Sequence, residues 1–225
     1  MKLLPKFLAA SLLAATCAFA QEQQAEPAKK SDFGVGVRGA FNYTTMYGLD
    51  NDWNVYGESD DTPPNGLGFE AGLAVRLQLL PFMQFTPEVL FNYAKLTQDD
   101  GKMERKFKQM GIEFPLLLRI TPIDKLYLAA GATVELNISD EAKLESGVME
   151  NAAGKFEHDF PEDYDRKTVQ LAFTFGVGYN IVAGLTADFR MNMGLNDVYE
   201  GESLLIDLKG GKQMTFKFGI GYWFM

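Results

Sequence analysis

The single histidine of this 225-residue chain is His158 and its single cysteine is Cys17. A Ser-His-acid triad needs a serine beside the imidazole, and a histidine-based metal site needs more than one ring. His158 stands in the acidic stretch 156–165, whose nearest serine is Ser146. A serine-hydrolase arrangement, including one acting on lipids, therefore lacks parts. The chain reads as a non-enzyme, with no residue assigned as catalytic, cofactor-binding or metal-ligating.

Cys17 belongs to a leader. Lys2 and Lys6 precede an apolar run over 7–15 and the small-residue end Ala18-Phe19-Ala20, the pattern of a secretory signal peptide cut after Ala20. Ala14-Ala15-Thr16 suits a lipid-anchored cysteine poorly. Removing residues 1–20 leaves 205 residues, a net charge of −11 in place of −9, and no cysteine. The processed chain is thus an exported protein without a disulfide, a thiolate nucleophile or a cysteine metal site. Its acidity disfavours nucleic acid as a partner.

Two segments hold most of that acidity. Residues 46–66 contain Asp50, Asp52, Glu58, Asp60 and Asp61 and no base, and residues 138–167 contain nine acids against Lys143, Lys155, Arg166 and Lys167. Carboxylate clusters can hold divalent cations through oxygen. No EF-hand spacing is present, so these segments read as solvated acidic surface.

A third set of charges is the most ordered: Arg38, Glu70, Arg76, Glu88, Glu113, Arg119, Glu135, Asp188, Arg190 and Lys217, five of each sign. Each sits on the polar phase of a period-two alternation. Phe33, Val35, Val37, Phe41 and Tyr43 share one face, whereas Gly34, Gly36, Arg38, Ala40 and Asn42 share the other. The pattern recurs over 67–77, 83–93, 110–120, 126–136, 169–181, 185–195 and 216–224. Eight strands result, each long enough to cross a bilayer at a tilt.

The connections alternate between tight turns at 81–82, 121–124 and 182–184 and long polar segments at 46–66, 96–106, 138–167 and 198–212. That rhythm predicts an all-β fold: an eight-stranded, antiparallel, up-and-down transmembrane β-barrel with short periplasmic turns and long extracellular loops. Residues 21–32 form a periplasmic tail and residues 33–225 the barrel, in the outer membrane of a diderm bacterium with both termini periplasmic.

A soluble ligand-binding barrel would show the same alternation with the apolar face inward. The charges decide between them: the spanning segments carry none on the apolar phase, and the polar phase mixes paired signs with many glycines. An eight-stranded interior is only wide enough for side chains to fill, so long arginines and glutamates opposite glycines are the packing expected of a lumen closed by an ion-pair network. The outward aromatics sort into two girdles, Phe33, Phe82, Phe85, Tyr179, Tyr222 and Phe224 near the short turns and Tyr43, Phe69, Phe91, Tyr93 and Phe107 near the long loops. Lys95, Lys106 and Lys108 have the outward phase near the long-loop ends of strands three and four, where they can snorkel to lipid or lipopolysaccharide phosphates. Pro87 and Pro115 fall inside strands, and β-bulges are expected there.

The segment Ile112-Glu113-Phe114-Pro115-Leu116-Leu117-Leu118-Arg119, followed by a turn and Leu126-Tyr127-Leu128-Ala129-Ala130-Gly131, resembles the centre of the PorT-like outer-membrane β-barrel family, the Bacteroidetes-type outer membrane protein β-barrel domain. Pro87-Glu88, Asp188-Phe189-Arg190 and the ending Gly219-Ile220-Gly221-Tyr222-Trp223-Phe224 resemble it too. The resemblance implies an eight-stranded outer-membrane barrel, inserted by the barrel-assembly machinery, and makes Pro115 a structural feature of the family. It implies little about activity: most members lack an assigned role, and the PorT branch serves a protein-secretion apparatus. The chain departs from the usual terminal aromatic by ending Phe224-Met225. The expected function is structural or interaction-based, through the acidic loops and an extracellular or secretion-system protein partner. The alternatives are a small ion or solute channel and a PorT-like secretion component.

Overall fold

The computed structural model describes residues 33–48, 63–99, 103–147, 158–159, 165–182, 184–200 and 211–224. Eight long strands dominate: β1 (Phe33–Tyr47), β2 (Asn65–Leu80), β3 (Met83–Asp99), β4 (Met103–Ile123), β5 (Leu126–Gly147), β6 (Val169–Val182), β7 (Leu185–Gly194) and β8 (Lys212–Phe224). Each pairs antiparallel with its neighbour in sequence, and β1 pairs with β8 to close the circle. Closure removes the exposed sheet edges that an open sheet presents.

Polarity is inverted relative to a soluble protein. Phe41 is 78% exposed and Leu67 70%, while Arg190 is 1% and Lys217 2% exposed. Alternation along each strand does this: in β1 the residues Val35, Val37 and Phe41 point out and Arg38, Asn42 and Thr44 point in. An outward apolar band around a charged interior suits a hydrocarbon solvent and excludes the soluble barrel.

Three boundaries differ from the sequence reading. Segment 96–106 is mostly strand, because β3 and β4 remain paired out to Asp99 opposite Glu104. β5 runs on to Gly147, opposite Met103, so the segment starting at 138 is partly ladder. The second tight turn is Asp124-Lys125, with Lys125 at a φ of 70°, since β4 extends to Ile123. The long-loop side also carries three two-residue strands. His158–Asp159 pairs with Lys143 and Leu144, and Asp165–Arg166 pairs with Tyr199–Glu200.

The prolines do not bulge. The β2–β3 register is the same on both sides of Pro87, as is the β3–β4 register on both sides of Pro115; the ladders skip the positions beside them. The two prolines lie on adjacent strands, Pro87 opposite Leu116, so their lost N–H groups cost a local gap rather than a shift. Register shifts occur instead near the turns, at Gln78/Leu80, Ile120/Ile123 and Asn180/Val182, and toward the loops, at Glu104/Arg105 and Met110/Gly111. Phe107 is a further correction. It has the inward phase and is buried in the lumen, not part of an outer girdle.

Candidate functional site

Among the described residues, charged side chains of both signs converge in the lumen. The even residues of β1, β2, β3, β7 and the odd residues of β4, β5, β8 point inward, and each strand except β6 delivers at least one ionised group. β6 delivers Gly176 and Gly178, which face Arg190 and Asp188 across the ladder.

Eight groups form an unbroken chain of alternating sign. Arg119 Nη2 donates to Glu88 Oε1 at 3.1 Å, and Arg190 holds both Glu88 oxygens at 2.8 and 3.0 Å. Arg190 Nη2 also donates to Asp188 Oδ2 at 3.1 Å, and Arg38 Nη2 donates to Asp188 Oδ1 at 2.7 Å. Arg38 then pairs with Glu70, Lys217 Nζ lies 2.6 Å from Glu70 Oε2, and Lys217 also pairs with Glu113. Four cations balance four anions, so no charge in the chain is buried uncompensated. An unpaired ion here would cost several kcal/mol. Tyr127 adds a hydroxyl donor to Asp188 Oδ2 at 3.2 Å.

Toward the loop end the network continues as neutral polar contacts. Asn42 donates to Asn92 at 3.0 Å, Thr44 and Thr215 share a hydrogen bond of 3.1 Å, and Thr174 donates to Asn192 at 2.9 Å. Leu90, Leu96, Phe107 and Leu117 are buried at further inward positions.

All ten charges singled out in the sequence face the lumen, and nine of them lie in ion pairs. Arg76 does not: among the described residues its guanidinium sits 5.1 Å from the centre of the Trp223 ring, near the short-turn end, with no carboxylate partner. Arg119 lies 5.2 Å from the same ring and 4.7 Å from that of Tyr127. The partner of Glu135 is instead Arg166, at 3.6 Å, from the short strand Asp165–Arg166. Arg166 belongs to a segment without periodicity, so nothing in the sequence marked it. Tyr127 and Trp223, in contrast, carry the inward phase of their strands.

Lys95, Lys106 and Lys108 come together outside the barrel. Lys95 is opposite Lys108 and Thr97 opposite Lys106 on the β3–β4 ladder; on β5, Lys143 is opposite Lys106 and Glu141 opposite Lys108. Most of the two acidic segments lies outside the described residues, as do the leader, residues 21–32 and Met225. Among the described residues no three acidic or histidine side chains gather closely enough to hold a metal ion.

The family model described as "Outer membrane protein beta-barrel domain" matches residues 19–200. No curated protein sequence matches the chain. Among solved structures the chain is similar to Neisserial surface protein A, at 11% identity over 84% of this chain and 97% of that one, with a TM-score of 0.48. It is also similar to Ail, the attachment invasion locus protein of Yersinia pestis, at 15% identity, 86% and 99% coverage and a TM-score of 0.44. A third is OprG from Pseudomonas aeruginosa, at 13% identity, 85% and 95% coverage and a TM-score of 0.39.

Proposed function

Because the chain belongs to the outer membrane protein β-barrel domain family, we propose that it is a non-conducting, non-enzymatic barrel whose work is done at its surface loops. The short turns and both termini face the periplasm in this reading, after removal of residues 1–20, and the acidic segments 46–66 and 138–167 face outward to meet a protein or ligand. One observation supports it: the alternating chain from Arg119 to Glu113 ties six of the eight strands together through the lumen, the arrangement expected of a plugged interior.

Planar-bilayer recording of the purified barrel tests this reading directly. The expected result is no steady conductance at neutral pH. Stepwise conductance would overturn it in favour of the second reading, a small ion or solute channel, whose path would include the small cavity lined by Glu113 and Glu135. A PorT-like role in protein secretion rests on the segment Ile112 to Arg119, whose Glu113 and Arg119 sit at the two ends of the charged chain. Deletion of the gene should then block export of cargo proteins, and unimpaired export would exclude that role.

A further inference from the structure

The loop end of the lumen holds a small polar chamber. Its volume of about 20 Å³ suits about one water molecule, and its walls include Glu113, Thr133, Glu135, Asn192, Gln213 and Thr215. Glu113 and Glu135 are direct cross-strand partners on β4 and β5. Each commits one oxygen to a donor: Glu113 Oε2 to Lys217, and Glu135 Oε1 to Asn92 at 3.5 Å and Arg166 at 3.6 Å. The other oxygen of each accepts no hydrogen bond from the described residues.

Facing carboxylates need two cations. Lys217 is one, and it is shared with Glu70. Arg166 is the other, and it alone among the described lumen cations comes from outside the eight barrel strands. Its fit is loose. The contact of 3.6 Å to Glu135 compares with 2.7–3.1 Å for the pairs that Arg38, Arg119 and Arg190 make with Asp188 and Glu88. Its Nη2 donates to Gln213 Oε1 at 3.1 Å, but Nε and Nη1 are buried without an acceptor among the described residues, whereas Arg119 and Arg190 leave only Nε so. Unsatisfied buried donors make this guanidinium a weakly held occupant. Its backbone ties are few: the two-residue pairing with Tyr199–Glu200, a hydrogen bond of 2.9 Å from Lys167 N to Val198 O, and bonds from the Asn137 side chain to Lys167 O and from Asn137 N to Thr168 O. Lifting it breaks no barrel ladder.

We propose that this chamber is a binding pocket for a guanidinium or primary ammonium group, and that Arg166 is its resident, displaceable ligand. With Arg166 withdrawn, the pocket gains the volume of that side chain and one uncompensated negative charge. A cationic head entering from the loop side restores both. The amide and hydroxyl oxygens of Gln213, Thr133 and Thr215 offer acceptors for the N–H groups that Arg166 leaves unmatched.

The test uses the whole barrel in detergent micelles. Arg166→Ala is titrated with guanidinium or methylammonium chloride, with sodium chloride at equal ionic strength as reference, and the temperature at which folded gel mobility is lost is recorded. A saturable rise is expected in Arg166→Ala and none in Arg166→Ala combined with Glu135→Gln. The unmodified protein should respond about tenfold more weakly or less, since its own arginine holds the pocket. Equal response to sodium or calcium, or an unchanged response in the double variant, overturns the proposal. A second measurement keeps the question open to refutation if Arg166→Ala does not fold. Arginine amide added to the unmodified protein should accelerate hydrogen exchange at the Lys167 N–H, and unaltered exchange refutes displacement. Tighter binding of a tripeptide with a central arginine than of arginine amide assigns the pocket to polypeptide side chains, and the reverse order assigns it to free amines.

Discussion

Arg190 and Glu88 meet across the full width of the barrel, Nη1 to Oε2 at 2.8 Å and Nη2 to Oε1 at 3.0 Å, from strands four places apart in a circle of eight. The pair is therefore a tie between opposite walls, and its parallel bonds fix both side chains in one plane. Replacing either partner leaves the other charge buried without its principal counter-ion. Glu88→Gln and Arg190→Gln should each cost about 3–5 kcal/mol. The double variant should cost clearly less than the two together, because coupled partners are non-additive. Urea unfolding followed by tryptophan fluorescence measures this, and strict additivity would show that the two walls are not coupled through this pair.

The glycines of the lumen supply the room that these ion pairs occupy. A Cβ on Gly219 would lie 2.7 Å from Asp188 Oδ1 and press on the Arg38 guanidinium, whose positions are fixed by their mutual bond of 2.7 Å. Gly219→Val should destabilise the barrel by about 1–3 kcal/mol through overpacking. Gly39 lies on the other face, with its nearest neighbour, the Glu70 carbonyl oxygen, 3.7 Å from a built Cβ. Gly39→Ala should stay within about 0.5 kcal/mol of the unmodified protein. Comparable losses at both positions would refute the steric account.

The strand count, the closed topology and the face of each charged residue on the spanning strands were legible because a period of two leaves little freedom: one phase must meet hydrocarbon and the other the lumen. Arg38, Glu70 and Lys217 could be assigned inward from phase alone. The partners could not. Which carboxylate an arginine reaches depends on barrel stagger, so Arg76, inward by phase, ends against Trp223 while Glu135 takes Arg166 from a non-periodic segment. Strand ends were missed for a related reason. The β3–β4 and β4–β5 ladders continue beyond the apolar band, where alternation in hydrophobicity stops but backbone pairing does not. The two prolines were read as bulges from the lost donor alone, whereas a skipped ladder position accommodates each without altering which side chains face in.

The turn between β4 and β5 stores removable strain. Lys125 has a φ of 70°, in the left-handed region that a Cβ disfavours, and the residue before it is Asp124. Lys125→Gly removes the Cβ at that left-handed position. Relief of the strain outweighs the extra chain entropy of glycine, and a gain of about 0.5 kcal/mol is expected. Gly184 is the converse. At a φ of 82° with a built Cβ 2.7 Å from the Trp223 carbonyl oxygen, Gly184→Ala should lower stability by about 1–2 kcal/mol. Shifts in urea midpoint of opposite sign for the two variants are the expected result.

Outside the barrel, Lys95 and Lys108 are cross-strand partners, with Lys106 one outward position further toward the loops. Lys95 opposite Lys108 and Lys106 opposite Lys143 concentrate positive charge at the loop end of this face. At the loop end of a membrane strand, lipid and lipopolysaccharide phosphates lie within reach of long ammonium side chains that snorkel. The triple variant Lys95→Gln, Lys106→Gln, Lys108→Gln should therefore retain less lipopolysaccharide through purification than the unmodified barrel, at equal yield and equal gel mobility. Retention should also fall with added salt in the unmodified protein and respond less to salt in the variant. Quantifying lipopolysaccharide phosphate per barrel decides it: equal content in the two proteins would mean that the neighbouring side chains, such as Glu141 opposite Lys108, already supply the counter-charge.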